Sequence, residues 1–317
     1  MPRTRTLRRV ALRLAGAVFV LWAVATLTFF AVHLVPGDPA QAILGGPGSQ
    51  ASQEALDRVR ADYGLDQPLA AQYLAMLTRL ASGDLGDSYA LKTPVADLIA
   101  GQLLGTLTLA LLALVVAWVL AIGLALWSTS AGRIGRAIAA GIELTAAALP
   151  HFWLATVLIA VFSTSLGWLP PVANDSASGL VLPVLTLAVP LAGFLAQLMR
   201  EQMLEALEQP FTTSALARGE TTAGIRLRHA LRHAALPAVN LSGWAIGYLI
   251  SGAVVVETIF ARPGLGRTLL RATELRDVPV VIGVVLVVAL VYVAMTVLTD
   301  LVSRAVDPRI ALEERGA

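Results

Sequence analysis

Long apolar runs alternate with polar stretches along the whole chain, and this pattern predicts its architecture. A helix rises about 1.5 Å per residue, so about 20 apolar residues cross the roughly 30 Å hydrocarbon layer of a bilayer. Runs of this length lie near residues 10–33, 103–129, 138–166, 182–198, 239–256 and 278–302. The pattern therefore predicts an all-α polytopic membrane protein with six transmembrane helices.

The first run follows a cluster of arginines, as the apolar core of a signal peptide does. We expect an uncleaved span instead, because no small-residue cleavage site precedes Pro36 and the run is long enough to cross the bilayer. Arginines favour the cytoplasmic side of a membrane, and the orientation that they favour places both termini there. The arginines on that side are Arg3, Arg5, Arg8, Arg9, Arg13, Arg133, Arg136, Arg200, Arg218, Arg226, Arg228, Arg232, Arg304, Arg309 and Arg315.

A polar stretch between the first two runs, residues 36–97, then faces outward. Ser52 is a helix-capping residue, and Gly64 can end the helix that it starts. A second helix is predicted after Pro68, over residues 70–80. These signals predict a small helical subdomain on the outer side, inserted after the first span.

A second polar segment, rich in arginine, separates the fourth and fifth apolar runs. Pro210 can open a helix, and Gly219 can end it in the left-handed conformation. Thr221 or Thr222 can then cap a second helix, which Pro237 is expected to stop. Small side chains in the first helix would let another protein approach its backbone closely, so we interpret the segment as a docking element.

Composition narrows the class of protein. Hydrophobic residues make up 57% of the 317 residues and charged residues 14%, which excludes an ordinary soluble domain. The formal net charge of +2 is too small to indicate nucleic-acid binding. Because the chain has no cysteine, it has neither disulfides nor thiolate metal sites.

Catalytic motifs are missing from the sequence. The block 264–268 (GLGRT) resembles a phosphate loop, but a Walker loop needs Gly where Ala261 stands and Lys where Arg267 stands. Neither His-Glu-x-x-His nor Gly-x-Ser-x-Gly occurs. His229 and His233 are one helical turn apart, but the arginines around them oppose metal binding. We therefore expect no catalytic, cofactor or metal site on this chain.

Two ionisable side chains lie inside the third apolar run, where charge is costly and usually faces a bundle interior or a wet cavity. Glu143 and His151 would be separated by about 12 Å along a continuous helix, which Pro150 is expected to kink. One hypothesis is that Glu143, His151 and Trp153 line a translocation cavity. The alternative is structural, with Glu143 paired to Arg136 on nearly the same helical face and His151 hydrogen-bonded to a neighbouring helix.

Short motifs run through nearly the whole chain in a fixed order. They are 33–39 (HLVPGDP), 63–68 (YGLDQP), 83–86 (GDLG), 149–153 (LPHFW), 215–219 (ALARG), 228–232 (RHALR), 257–266 (ETIFARPGLG) and 307–310 (DPRI). Together they resemble the permease subunits of oligopeptide, dipeptide and nickel ABC importers. Leu216 departs from that pattern where such permeases often carry a basic residue, and Glu220 where they usually carry an apolar one.

The resemblance implies a type I ABC importer transmembrane domain that forms half of a translocation pore in a prokaryotic inner membrane. It implies a second homologous permease, two ATPase subunits that hold ATP and magnesium, and an extracytoplasmic substrate-binding protein. Short peptides are the favoured substrate, with nickel chelates, glutathione or sugar oligomers as alternatives. It also makes residues 205–238 the ATPase-coupling segment. The coupling residues that we expect are Thr213, Ser214, Ala215, Ala217, Arg218, Gly219 and Glu220.

We expect three divisions of the chain: residues 1–98 with the first span and the outer subdomain, the core permease domain 99–305, and the cytoplasmic tail 306–317. A membrane-embedded enzyme and a secondary transporter are the alternative classes. The enzyme would need a catalytic constellation within the spans. The transporter would need ion-coupling charges on broken helices and an internal repeat.

Overall fold

The computed structural model describes residues 2–45, 50–173 and 176–306, and its regular structure there is helical apart from a β-bridge between Asp87 and Pro94. The helices are α1 (Pro2–Leu34), α2 (Pro39–Ile43), α3 (Gln53–Asp62), α4 (Leu69–Ala81), α5 (Val95–Ser130), α6 (Arg133–Ala148), α7 (His151–Leu158, continued by a π-helical stretch, Ile159–Ser165), α8 (Ala177–Leu207), α9 (Pro210–Ala217), α10 (Thr222–Ile225, continued by a π-helical turn, Arg226–Ala230), α11 (Leu231–Ile259), α12 (Leu265–Glu274) and α13 (Val278–Val306). The motif at 307–310 and the tail from 307 onward lie outside the described residues.

Several of these helices have the length and composition of membrane spans. They are Ala11–Leu34, Val95–Ser130, Ala177–Leu207, Thr222–Ile259 and Val278–Thr299. Taken together, α6 and α7 are also long and apolar enough to cross a membrane. Counting the pair as one span gives six candidate spans in the described ranges. The all-α polytopic class predicted from the sequence is confirmed.

The third predicted span is not one straight helix. α6 ends at Ala148, α7 begins at His151, and the pair is bent by 106°. Leu149 is extended, with φ −70° and ψ 123°, because a residue that precedes proline is pushed out of the helical region. Pro150 also lacks the N–H that would continue the helix. The separation of about 12 Å expected between Glu143 and His151 along one helix axis therefore does not apply.

Pro237 does not stop a helix, and that prediction is wrong. Thr222–Ile259 is one membrane-length helical run, and Pro237 lies inside α11. Pro183 and Pro190 lie inside α8 in the same way. Proline removes a hydrogen bond from a helix, but neighbouring helices in a membrane domain compensate that loss.

Contacts divide the chain into two compact units. The first combines Met1–Gly105 with Pro263–Val293, and the second combines Thr106–Arg262 with Ala294–Ala317. In this division α12 and the first half of α13 belong with the N-terminal part of the chain.

The first unit contains the outer helical insertion, and its helix signals act as predicted. Ser52 Oγ accepts the N–H of Ala55 at 3.2 Å and so caps α3. Gly64 follows this helix with φ +65°, a conformation that glycine adopts without strain. α4 begins directly after Pro68.

Two apolar cores hold the first unit together. Phe29 of α1, Met76 of α4 and Ile282 of α13 are buried in one of them. The other contains Val95 of α5 and Leu265 of α12. Burial of a large apolar side chain contributes about 1.5–3 kcal/mol relative to its exposure, so these contacts fix the insertion on the spans of the same unit.

A buried carboxylate organises the loop at residues 82–94. Asp277 is 2% exposed and accepts the hydroxyl of Ser88 at 2.5 Å. It also accepts the backbone N–H groups of Tyr89 and Ala90, each at 3.1 Å. These donors replace the water that a buried carboxylate loses, so Asp277 pins the loop to the turn before α13.

The neighbouring Arg276 binds the end of the α1 region. Its guanidinium donates hydrogen bonds to the backbone carbonyls of Val35 and Pro36. A Cβ at Gly37 would collide with this guanidinium, and Gly37 has φ +128°. The positive φ favours glycine here, whereas the guanidinium ends a flexible side chain and can shift to admit a Cβ.

The second unit is built around α8, which is buried along most of its length and packs against α6, α7 and α11. Gly193 brings α8 close to α6, since a Cβ there would lie 2.5 Å from the backbone N of Ala147. Gly252 of α11 faces Leu187 of α8 and the imidazole of His151.

We expect Asp277→Asn to loosen the 82–94 loop. An amide offers a single acceptor oxygen, so a donor loses its partner at a cost of about 1–3 kcal/mol. Lys92, the single lysine of the chain, is exposed in this loop, so endoproteinase Lys-C reports its opening. Cleavage after Lys92 should accelerate about tenfold for each 1.4 kcal/mol lost.

Asp87→Asn is the matched control for this loop, and cleavage of that variant should proceed at the parental rate. Asp87 is exposed, and its carboxylate accepts no hydrogen bond from the described residues. Parental cleavage of Asp277→Asn would mean that the buried carboxylate does not hold the loop.

Candidate functional site

The polar segment between α8 and α11 folds as a short helix followed by a tight turn. Pro210 occupies the first turn of α9, where its missing N–H costs nothing. Gly219 follows the helix with φ +83°, in the left-handed region. Thr221 Oγ1 accepts the N–H of Gly224 at 3.1 Å and caps α10. The start, the turn and the cap predicted from the sequence are confirmed.

Most residues expected to contact a partner lie on the surface of this segment. The exposed ones are Thr213, Ser214, Ala217, Arg218 and Gly219. A Cβ at Gly219 would meet no atom within 4 Å beyond its chain neighbours. Ala215 is 1% exposed, so its small size serves packing within this chain.

Side chains fasten α9 to the helices on both sides. Thr212 Oγ1 donates to the carbonyl of Ala206, near the end of α8, at 3.1 Å. Phe211 stacks on His233 of α11 with 5.1 Å between ring centroids. The segment is therefore joined to α8 and α11 by side chains as well as by the backbone.

Glu220 contacts basic side chains of the same segment. Its carboxylate lies 3.0 Å from Nε2 of His229 and 3.8 Å from Arg228. The acidic residue that departs from the family pattern thus pairs within the chain. His229 contacts Glu220, and His233 stacks on Phe211. The described residues contain no group of three or more potential metal ligands.

A buried ion pair joins α6 to α8 in the second unit. Glu143 is 0% exposed, and Arg200 donates its Nε–H to Oε2 of Glu143 at 2.8 Å. Oε1 of Glu143 is buried and has no hydrogen-bond partner among the described residues. An unpaired charge at this degree of burial is strongly destabilising, so Arg200 is what permits a carboxylate here.

The three residues proposed to line a cavity have different surroundings and no direct contact with one another. Glu143 does not pair with Arg136, which is exposed, and His151 makes no hydrogen bond with the described residues, so both pairings of the structural alternative are wrong. His151 lies at the start of α7 and contacts the ring of Tyr248, whereas Trp153 is 48% exposed. In the described part of the chain, no hydrogen bond, ion pair or ring contact joins Glu143 to His151 or Trp153.

Two features of this region were not predicted from the sequence. Arg200, the partner of Glu143, lies on a different helix, and spacing along one helix cannot find it. Aromatic rings from α8 and α11 also form a row of ring contacts that ends at His151. Trp244 and Tyr248, four residues apart in an apolar run, are the signal for this second feature because such residues share a helix face.

Comparisons with known proteins cover nearly the whole chain. Residues 117–312 match the family described as binding-protein-dependent transport system inner membrane component, and residues 6–110 match its N-terminal family. The glutathione transport system permease protein GsiC of Salmonella paratyphi A is 36% identical over 305 residues, 96% of this chain and 99% of the relative. GsiC of Escherichia coli strain K12 is 35% identical, with the same coverage.

The helices of membrane-span length and the matched family make the chain a multi-pass membrane protein. The chain belongs to the family of binding-protein-dependent transport system inner membrane components, and it is a permease subunit of an ABC importer. In this family ATP hydrolysis lies on separate subunits, so the chain is not itself an enzyme. The alternatives of a membrane-embedded enzyme and a secondary transporter are therefore wrong.

We expect Glu143→Gln to lower the free energy of unfolding by about 3–5 kcal/mol, because it leaves Arg200 as a largely buried charge without its partner. The double variant Glu143→Gln/Arg200→Gln should recover part of this loss, since two neutral amides can bond to each other. Denaturant titration of the purified protein in detergent measures the free energy of unfolding of both variants.

Arg136→Gln is the control for loss of a positive charge near Glu143 and should stay within about 0.5 kcal/mol of the parent. The single variant Arg200→Gln completes the comparison. If the double variant loses as much stability as Glu143→Gln and Arg200→Gln lose in sum, Glu143 and Arg200 do not interact.

Proposed function

We propose that this chain forms half of the translocation pore and that residues 205–238 couple it to the ATPase subunits. The other half is a second, homologous permease. Two ATPase subunits bind ATP and magnesium on the cytoplasmic side, and a substrate-binding protein delivers the cargo outside. Closure of the ATPase pair moves α9, and the pore alternates between outward and inward opening.

The observation that carries this proposal is the outer surface of α9. Apart from Leu216 in the helix and Arg218 directly after it, the exposed side chains are short, and the space around Gly219 is open. A groove on a partner can therefore approach the backbone of α9 closely. Arg218 places a positive charge at that contact.

Packed helices support a role in transmission. Thr212 ties α9 to α8, and Phe211 ties it to α11. α8 and α11 pack against each other, and α8 packs against both α6 and α7. A force on α9 therefore reaches the break at Leu149–Pro150 through helices in contact along their length, which is the kind of rigid-body coupling that an alternating pore needs.

Short peptides are the substrate class that we propose. The relatives that share 35–36% identity with the chain are named for glutathione transport, and glutathione is a tripeptide derivative. The motif blocks resemble those of oligopeptide and dipeptide importers. Uptake of radiolabelled tripeptides and of glutathione by the reconstituted importer distinguishes the two cargoes.

We propose that both termini face the cytoplasm and that the helical insertion of the first unit lies outside, which the arginine distribution supports. Because the chain has no cysteine, single-cysteine labelling tests this directly. Gln53→Cys should react with an impermeant maleimide in intact cells, whereas Thr222→Cys should react only after permeabilisation. Both sites are exposed and leave the capping residues Ser52 and Thr221 intact. Labelling of Thr222→Cys in intact cells would reverse the orientation.

Gly219→Val should abolish uptake and substrate-stimulated ATP hydrolysis while the complex still assembles. A valine in the left-handed conformation costs roughly 1–2 kcal/mol, and the larger effect comes from bulk at the partner contact. Ala217→Trp adds bulk to the same surface without backbone strain and should have the same effect. Both activities are measured on the importer reconstituted in liposomes.

Ala61→Trp is the matched control, because it adds the same side chain at an exposed position of α3, outside the coupling segment. It should retain parental ATPase activity. Parental uptake by both Gly219→Val and Ala217→Trp would mean that the segment is only a connection.

A further inference from the structure

Four aromatic rings form a continuous row across α7, α11 and α8 of the second unit. The ring centroids of His151 and Tyr248 are 5.3 Å apart, and those of Tyr248 and Trp244 are 5.4 Å apart. Phe194 continues the row at 5.4 Å from Trp244. Trp244 is 44% exposed and Phe194 40%, although α8 is otherwise mostly buried. These four residues are the aromatic row.

The aromatic row reaches from the ends of two apolar runs towards the middle of one of them. Phe194 lies four residues before the end of the run 182–198 and Trp244 five residues after the start of the run 239–256, whereas Tyr248 lies at the middle of that run. Aromatic residues that anchor a protein in a bilayer concentrate near the ends of spans, where lipid headgroups meet water. Anchoring therefore accounts for Trp244 and Phe194 at most, and not for Tyr248 at the middle of its run.

Polar atoms in and beside the row indicate a wet surface. The indole N–H of Trp244 and the phenol O–H of Tyr248 have no hydrogen-bond partner among the described residues. Ser251 also has none, is exposed, and lies seven residues after Trp244, on the same helix face. Each unsatisfied polar group costs several kcal/mol in hydrocarbon. Such a surface suits water or polar cargo rather than lipid tails.

The break between α6 and α7 adjoins the row. His151 is the first residue of α7, directly after Pro150, and its Nε2 is buried without a hydrogen-bond partner. Non-helical backbone at membrane depth is tolerated only inside protein or along a water-filled cavity. Protein or water therefore covers the break, and the polar atoms of the adjoining row favour water there.

We propose that the aromatic row, with Ser251, lines this chain's side of the translocation pathway and contacts passing peptides. The inference rests on the proposed function, which supplies the pore and the peptide cargo. The faces of Trp244 and Tyr248 attract ammonium and guanidinium groups by cation–π interaction and bind apolar side chains by contact. Their N–H and O–H groups donate to peptide carbonyls. Contacts of this kind accept many sequences.

Single-cysteine variants of the assembled importer in lipid nanodiscs test the pathway. Tyr248→Cys and Ser251→Cys should react with the cationic reagent trimethylammonioethyl methanethiosulfonate, because a thiol at a wet surface ionises and a thiol in lipid does not. Val115→Cys and Val119→Cys, at exposed apolar positions of α5, are the matched controls. They should react at least about tenfold more slowly. Trapping the ATPase subunits with ATP and vanadate should change the rates at Tyr248→Cys and Ser251→Cys.

The labelling has two outcomes that overturn the proposal. Rates at Tyr248→Cys and Ser251→Cys equal to those of the α5 controls, with and without nucleotide, would mean that lipid covers the row. Crosslinking of these cysteines to the second permease, without reaction with the cationic reagent, would make the row a contact between permeases.

Uptake measurements distinguish a failure of this inference from a failure of the proposed function. Trp244→Ala should raise KM for trilysine and triphenylalanine by about two- to tenfold, and more than for trialanine, because the ring face is lost. Trp244→Phe should retain most of the parental KM. Parental KM for all three peptides in Trp244→Ala would overturn the contact with cargo. An importer that labels as expected but takes up no peptide would refute the peptide substrate and leave the row in the pathway.

Discussion

Burial of α8 against α6, α7 and α11 is the contact on which the second unit depends. At Gly193 the approach of α6 is so close that no side chain would fit between the two backbones. α8 runs without a break from Ala177 to Leu207, and α9 begins three residues later. The helix that forms the centre of the unit therefore also leads to its docking segment. The Glu143–Arg200 ion pair lies in the same contact, so the buried charge and the docking segment are attached to one rigid element.

Signals that depend on a few neighbouring residues predicted the element ends correctly. Ser52 and Thr221 cap helices, and Gly219 turns the chain, because a cap or a left-handed turn satisfies backbone groups within three or four residues. Proline was less informative. Pro150 breaks a helix and Pro237 does not, although the local chemistry is identical, because the packing of neighbouring helices decides whether the lost hydrogen bond is tolerated.

In the candidate site, too, features set by neighbouring residues could be predicted from the sequence, whereas contacts between distant residues could not. The exposed small residues of α9 could be predicted from the sequence, because they belong to one short helix. The burial of Ala215 could not, since it depends on what packs beneath that helix. Arg200 is 57 residues away from Glu143 along the chain, so only the packing of α6 on α8 makes them partners. The pairing of Glu220 with His229 likewise needed the path of the chain after the turn.

The π-helical turn at Arg226–Ala230 has a geometrical consequence for α11. A π-helical turn accommodates one residue more than an α-helical turn, and one residue corresponds to a rotation of about 100° around the helix axis. Each residue after the turn therefore faces a direction that an unbroken α-helix starting at Thr222 would not give. Without this extra residue, Trp244 and Tyr248 would point roughly a quarter turn away from Phe194 and His151. The turn sets the angular phase between the docking segment and the face of α11 that carries the rings.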